Sequence, residues 1–182
     1  MNCRSVNELI CRRYEQVHGA APDLNHDRFL DWGSPTGVRA ALGYSRACDR
    51  RLFLEAYVDL PIEQELERSL GRPFNRRDII EIGNLAADNA LAMVRLWAET
   101  ANDLGTDAEI AVSVLTRPLR AMFRRLGVTL YELMPANAER LSDKGIRWGD
   151  YYTKDPVVCA GFIAEGQARL ASVVDRRDRK RA

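Results

Sequence analysis

The run from residue 78 to 126 constrains this chain most, because it alternates two extended apolar segments with two helical ones. Asp-Ile-Ile-Glu-Ile-Gly-Asn-Leu (78–85) reads as a buried strand. Residues 86–104 then place Leu91, Val94, Trp97 and Leu104 on one helical face, and Gly105 closes that helix. A second strand over 110–115 and a helix over 118–126, opened by Pro118 and followed by Gly127, complete the run. Strand, helix, strand, helix predicts a parallel pair, because a helical crossover returns the chain to the same edge of the sheet. Ligands in such sheets sit at the carboxyl ends of the parallel strands, so residues 83–88 and 115–119 are the place to search.

The flanks fill in a single domain. Val6, Leu9, Ile10, Tyr14 and Val17 recur at helical spacing, which predicts a first helix over 6–17. Pro22, Asp23, Asn25, Gly33, Pro35 and Gly37 then predict a long surface loop. Residues 38–47 and 52–58 read as a hairpin of adjacent strands, with Gly43 marking a bulge. Pro61 opens a helix over 62–70 that Gly71 ends. A strand over 128–133, a short helix over 136–141, a strand over 157–163 and a helix to Val174 follow. The chain of 182 residues shows no repeat or linker, so one domain over 1–175 is expected, with a basic tail over 176–182.

Composition removes several classes. With 27 basic and 26 acidic residues the net charge is +1, too balanced for a protein that grips nucleic acid phosphates. Cys3, Cys11, Cys48 and Cys159 form no CxxC or Cys/His cluster, so no metal site is expected. No apolar stretch approaches the ~20 residues that span a bilayer, and the first twenty residues build no signal-peptide core. The expectation is a cytoplasmic protein without membrane insertion. P-loop, dinucleotide, zincin and nucleophile-elbow motifs are all absent.

Several residues stand out chemically. Glu81 lies between Ile80 and Ile82, where a carboxylate is costly to desolvate. Either an ion pair to Arg46, Arg76 or Arg77 holds it, or it is a general base whose pKa burial has raised. Gly83 and Asn84 interrupt the same strand and predict a bulge, whose unpaired amides can hold an extended ligand or an oxyanion. Arg117, Arg120, Arg124 and Arg125 give the 118–126 helix a basic face, either solvated or docking an anionic partner. Trp148, Tyr151 and Tyr152 form an aromatic cluster, as core anchors or as a pocket wall with a tyrosine proton donor. His18, after the first helix, is a candidate base or substrate contact.

Four blocks carry a resemblance: Ala-Leu-Gly-Tyr-Ser-Arg (41–46), Leu-Phe-Leu-Glu-Ala-Tyr-Val-Asp-Leu-Pro-Ile-Glu (52–63), Glu-Ile-Gly-Asn-Leu-Ala (81–86) and Trp-Gly-Asp-Tyr-Tyr (148–152). Together they resemble the thermostable hemolysin family. The chain order is similar, more weakly, to the acyl-homoserine-lactone synthases and the wider GCN5-related N-acyltransferase (GNAT) fold. Gly83 and Asn84 stand where the synthases carry Ser and Arg, a departure that bears on the acceptor and on homoserine lactone chemistry in particular.

The resemblance implies an α/β fold with a mixed, largely antiparallel sheet whose parallel pair splays apart to take a pantetheine arm. It implies an acyltransferase with no permanently bound cofactor, using an acyl-CoA or acyl-carrier-protein thioester as co-substrate and a small-molecule amine or amino acid as acceptor. The Gly-rich pyrophosphate loop is missing between Leu85 and Asn89, which favours an acyl carrier protein as partner. In this scheme Glu81, Tyr151, Tyr152 and His18 are the catalytic candidates. Gly83, Asn84, Leu85, Ala86, Arg117 and Arg120 would hold the donor, and Tyr14, Arg46 and Trp148 the acceptor. The alternatives are a cytolytic protein, as the family name implies, and a fold that binds acyl chains without catalysis.

Overall fold

The computed structural model describes residues 3–34, 37–104 and 108–179. Gly105, expected to close the third helix, and residues 180–182 of the basic tail lie outside the described residues. The elements are α1 (Cys3–His18), β1 (Arg28–Ser34), β2 (Gly37–Arg46), α2 (Ile62–Leu70), β3 (Ile79–Ala87), α3 (Ala90–Leu104), β4 (Ile110–Leu115), α4 (Arg117–Arg125), β5 (Tyr131–Pro135), β6 (Val157–Phe162) and α5 (Ile163–Arg179). The strands form one sheet in the order β1-β2-β3-β4-β6-β5. All neighbours are antiparallel except β3 and β4. This is the mixed, largely antiparallel sheet with one parallel pair that the resemblance implies.

Both faces of the central strands are covered, which explains their near-continuous apolar runs. On one face Val6, Leu9, Ile10 and Tyr14 of α1 pack on Ala41 and Ala86. Beside them Ile62 and Leu66 of α2 pack with Ile79, Ile110 and Val112. On the other face Ala92, Leu96 and Leu104 of α3, with Ile163 of α5, cover Leu42, Tyr44, Ile80 and Ile82. Pro61 precedes α2, and Gly71 ends it in the left-handed conformation at φ 73°.

Some expected elements are corrected. The expected loop contains β1, whose Phe29, Leu30 and Trp32 pair with β2. The hairpin therefore joins β1 to β2, and residues 52–58 are no strand. Phe53–Ala56 instead form a 3₁₀ turn. Two buried carboxylates dictate that turn. Glu55 Oε2 accepts the Leu52 N–H at 2.7 Å and its Oε1 the Ile62 N–H at 3.1 Å, while Glu81 takes those of Phe53 and Leu54. Once those donors are satisfied by side chains, no strand ladder needs them. Three bounds also move. α3 begins at Ala90 because β3 runs on to Ala87, β5 begins at Tyr131, and the short helix before Leu141 is a 3₁₀ turn over Ala138–Arg140. α5 extends through the basic residues to Arg179.

The parallel pair is brief. β3 and β4 are in register only at Ile79 with Ile110, Ile80 with Ala111 and Glu81 with Val112. Beyond Glu81, β3 stays with β2 while β4 continues on β6 to Leu115, so the sheet opens between them. A bulge drives the separation. Between the pairs Gly43–Gly83 and Ala41–Ala86, β3 holds Asn84 and Leu85 against the single Leu42. Asn84 takes up the extra residue at φ 49°, a conformation that Asn tolerates better than most residues. A bulged strand bends and twists more, which turns β3 away from its parallel neighbour.

Candidate active site

Three cavities meet where β3 and β4 part. The largest, about 360 Å³, lies at the open end between α1, α3 and α4, and is lined by residues 83–87 of β3 together with His18, Val114, Thr116 and Tyr151. A second, about 140 Å³, opens on the α1 and α2 face, with Glu81, His26, Ser45, Arg50, Phe53 and Trp148 in its wall. Tyr14, Gly83, Asn84, Val114 and Tyr151 line both, so the two share an inner wall at the divergence. A narrow third cavity of about 60 Å³, almost wholly apolar, lies on the α3, α4 and α5 face. Ile82, whose side chain packs with α3 and α5, lines both this cavity and the second.

Glu81 is 4% exposed. Its Oε2 accepts the Phe53 N–H at 2.7 Å and its Oε1 the Leu54 N–H at 2.9 Å. None of the three arginines proposed for it supplies the partner. Arg76 binds Glu55 and Glu63, each at 2.7 Å, and Arg46 sits opposite Ile80 at the end of β2. Burial raises the Glu81 carboxyl to about 7, against the pull of the two N–H donors. Each oxygen keeps a lone pair beyond the one its N–H occupies.

The tyrosines divide. Tyr151 is buried, its hydroxyl donates to the Val114 carbonyl at 3.2 Å, and it lines both large cavities. Burial holds its phenol well above the ordinary range. Tyr152 turns its hydroxyl to that of Tyr57, 2.6 Å away, and packs with the α2 core. Trp148 stands between Phe53 and Tyr151, with ring centroids at 5.9 and 5.2 Å, and with Tyr14 makes the aromatic wall of the second cavity.

His18 sits at the mouth of the largest cavity, its Nδ1 at 3.2 Å from both Asp150 and Lys154. Burial is the main reason its pKa falls, and the Lys154 charge adds to it. Asn84 is 6% exposed and donates to the Asp23 carbonyl, while its Oδ1 has no partner among the described residues. Arg120 is committed to the fold, because it binds the Leu115 and Asp155 carbonyls and the Asp155 carboxylate. Arg117 is exposed, with Asp155 at 3.4 Å.

His26 is the residue that sequence reasoning missed. It sits in a segment read as loop, yet its ring lies on the face of the sheet beside Glu81. The signal was the facing glycines Gly43 and Gly83, but their pairing becomes visible only with the register. Among the described residues no group of three or more His, Cys, Asp or Glu could hold a metal ion, and no described helix is long and apolar enough to cross a membrane.

Solved structures with a similar arrangement of strands and helices include an acyl-homoserine-lactone synthase and an N-acyl amino acid synthase. The acyl-homoserine-lactone synthase LasI superposes with a TM-score of 0.60 at 13% identity, covering 93% of this chain and 89% of that one. TofI, in a ternary complex with an inhibitor and MTA, scores 0.58 at 16% identity, covering 94% and 91%. FeeM, an N-acyl amino acid synthase from uncultured soil microbes, scores 0.58 at 12%, covering 91% and 93%. At these identities the likeness defines the fold class. No curated protein sequence matches. The model of the thermostable hemolysin family matches residues 1–167, and the chain belongs to that family.

Proposed function

We propose that this protein is an N-acyltransferase, moving an acyl group from a pantetheine thioester to an amine. One observation carries the reading: β3 and β4 pair over three positions and then diverge, and two cavities from different directions share five residues at the split. A reaction that joins two substrates needs two entrances and one meeting point. The pantetheine arm lies in the larger cavity along Gly83, Asn84, Leu85 and Ala86. The amine enters the cavity holding Glu81, with Tyr14 and Trp148 against its apolar part.

In this reading the amine nitrogen attacks the thioester carbonyl carbon. A C–N bond forms, and Glu81 takes the proton that the nitrogen loses. The C–S bond then breaks, and the thiolate sulfur takes up the proton that Glu81 has received and leaves as a thiol. The helix after β3 opens beside Asp88, which Arg12 binds at 3.0 Å, with Arg39 at 3.9 Å. The absence of a Gly-rich pyrophosphate loop between Leu85 and Asn89 supports an acyl carrier protein over coenzyme A as the carrier of the thioester.

Purified protein incubated with acyl-carrier-protein and acyl-CoA thioesters and a panel of amines and amino acids is expected to yield an amide by mass spectrometry. Glu81→Gln should lower turnover by ~10² to 10⁴. Wild-type protein that forms no amide with any pair, or that releases dye from liposomes without a donor, would count against this reading and, in the second case, for a cytolytic one.

A further inference from the structure

The cavity beside Glu81 contains a second group, which the scheme above does not use. Gly43 and Gly83 are directly paired on β2 and β3, and so are Ser45 and Glu81. With a side-chain period of two, all four positions share one face of the sheet. The His26 imidazole lies on that face. A Cβ on Gly43 would stand 2.6 Å from its Cδ2, and a Cβ on Gly83 would collide with its Nε2. Two facing glycines thus form a seat for one ring, and the seat directs Nε2 toward the wall that both large cavities share at Gly83.

The hydrogen bonds on the other side of the ring favour one tautomer. Ser45 Oγ accepts the Asp27 N–H at 3.2 Å, and His26 Nδ1 lies 3.3 Å from the same oxygen. With its oxygen accepting from a backbone amide, the serine has its own O–H to give, and Nδ1 is the acceptor placed to receive it. The proton of the neutral ring then sits on Nε2, for which no hydrogen bond forms among the described residues. Resting on the acyltransferase reading, we infer that His26, fixed as the Nε2–H tautomer by Ser45, donates from the amine side to the thioester carbonyl oxygen as it becomes an oxyanion.

The groups around the ring agree with a neutral donor. Burial is the main cause that lowers its pKa, to about 4; the Arg50 guanidinium in the same cavity adds to the fall, and Asp27 opposes it. Glu81, across from Ser45, is the stronger base of the two. A neutral imidazole that donates a hydrogen bond to a polarised carbonyl, beside a carboxylate that moves the proton, divides the work in a chemically economical way. The donor is preset, and it gains strength only as charge develops on the oxygen.

The test has a spectroscopic arm and a kinetic one. Long-range ¹H–¹⁵N spectra of wild-type protein are expected to show His26 as the neutral Nε2–H tautomer at every pH from 5 to 9, and Ser45→Ala to mix the tautomers. His26→Ala is expected to lower kcat by ~10² to 10³ with KM for the amine unchanged, as for the loss of one oxyanion donor. His26→Gln, which restores an N–H near the same place, is expected to recover part of that loss. An Nδ1–H tautomer, titration of the ring near its ordinary 6.5, or a folded His26→Ala variant with wild-type kcat would each overturn the proposal. Inactivity of the wild-type protein with all donors and amines would instead bring down the reading on which it rests.

Discussion

Glu81 ties the stability of the fold to the chemistry of the site. Its carboxyl has an ordinary value of 4.5 and is raised to about 7 in the fold. Between those values the native state binds a proton that the unfolded chain has lost, so stability falls as pH rises from 4.5 to 7 and levels off above. The loss amounts to at most about 3 kcal/mol. Glu81→Gln removes that slope. Its single amide oxygen also leaves one of the two N–H donors, Phe53 or Leu54, poorly satisfied at every pH, at about 1–3 kcal/mol. Urea unfolding should therefore find the variant clearly weaker than wild type at pH 5, with the gap closing by pH 8. If Glu81 is the base of the proposed transfer, kcat/KM should rise with pH through about 7 and then level off. A carboxylate inside Ile-Glu-Ile announced itself in the sequence, because desolvation needs an answer. The answer came from backbone amides 27 and 28 residues away, which no side-chain pattern records. His26 was hidden for the same reason, since its seat exists only once Gly43 faces Gly83.

At the level of elements the bulge of β3 is the device that makes the cleft, and Asn84 bears its strain. Asn84→Ala keeps a Cβ at φ 49° without the tolerance of Asn, and it removes the hydrogen bond to Asp23. It should cost about 1–2 kcal/mol in urea unfolding, while Asn84→Gly, which is free at positive φ, should lose less. Equal losses for the two would show that the backbone there is unstrained. The central strands were legible because burial on both faces leaves long apolar runs between turn formers, and β4 begins and ends where its residues say. Segment 52–58 was not, since Leu, Phe, Leu and Tyr suit a strand as well as a compact turn. The carboxylates of Glu55 and Glu81 decide between them. β1 falls within the expected loop because the turn formers Asn25, Gly33, Pro35 and Gly37 lie along and around it. On an edge strand, half exposed, a residue such as Gly33 costs little.

Across the whole molecule, the parting of two strands leaves cavities of different character on the two sides of the sheet, which the proposed reaction would use differently. The polar cavity with Glu81 and His26 is on the α1 and α2 side, and the apolar one is on the α3, α4 and α5 side. If the proposed transfer takes place at the split, the apolar cavity lined by Trp97, Leu115, Phe123 and Cys159 is the place offered to the acyl tail. At about 60 Å³ that cavity is small enough that volume, more than chemistry, sets which tails fit. Ser113 lines it, is 5% exposed, and its hydroxyl has no partner among the described residues. Ser113→Leu would exchange an unsatisfied hydroxyl for apolar volume in the path of the tail. The physical balance favours an intact fold, because removing an unpaired buried hydroxyl offsets part of the cost of added bulk. The variant should unfold within about 1–2 kcal/mol of wild type and shift its products toward shorter acyl chains, as mass spectrometry of mixed-chain donors would show. Retention of the same chain-length distribution would move the tail out of this cavity while leaving the amine side of the site untouched.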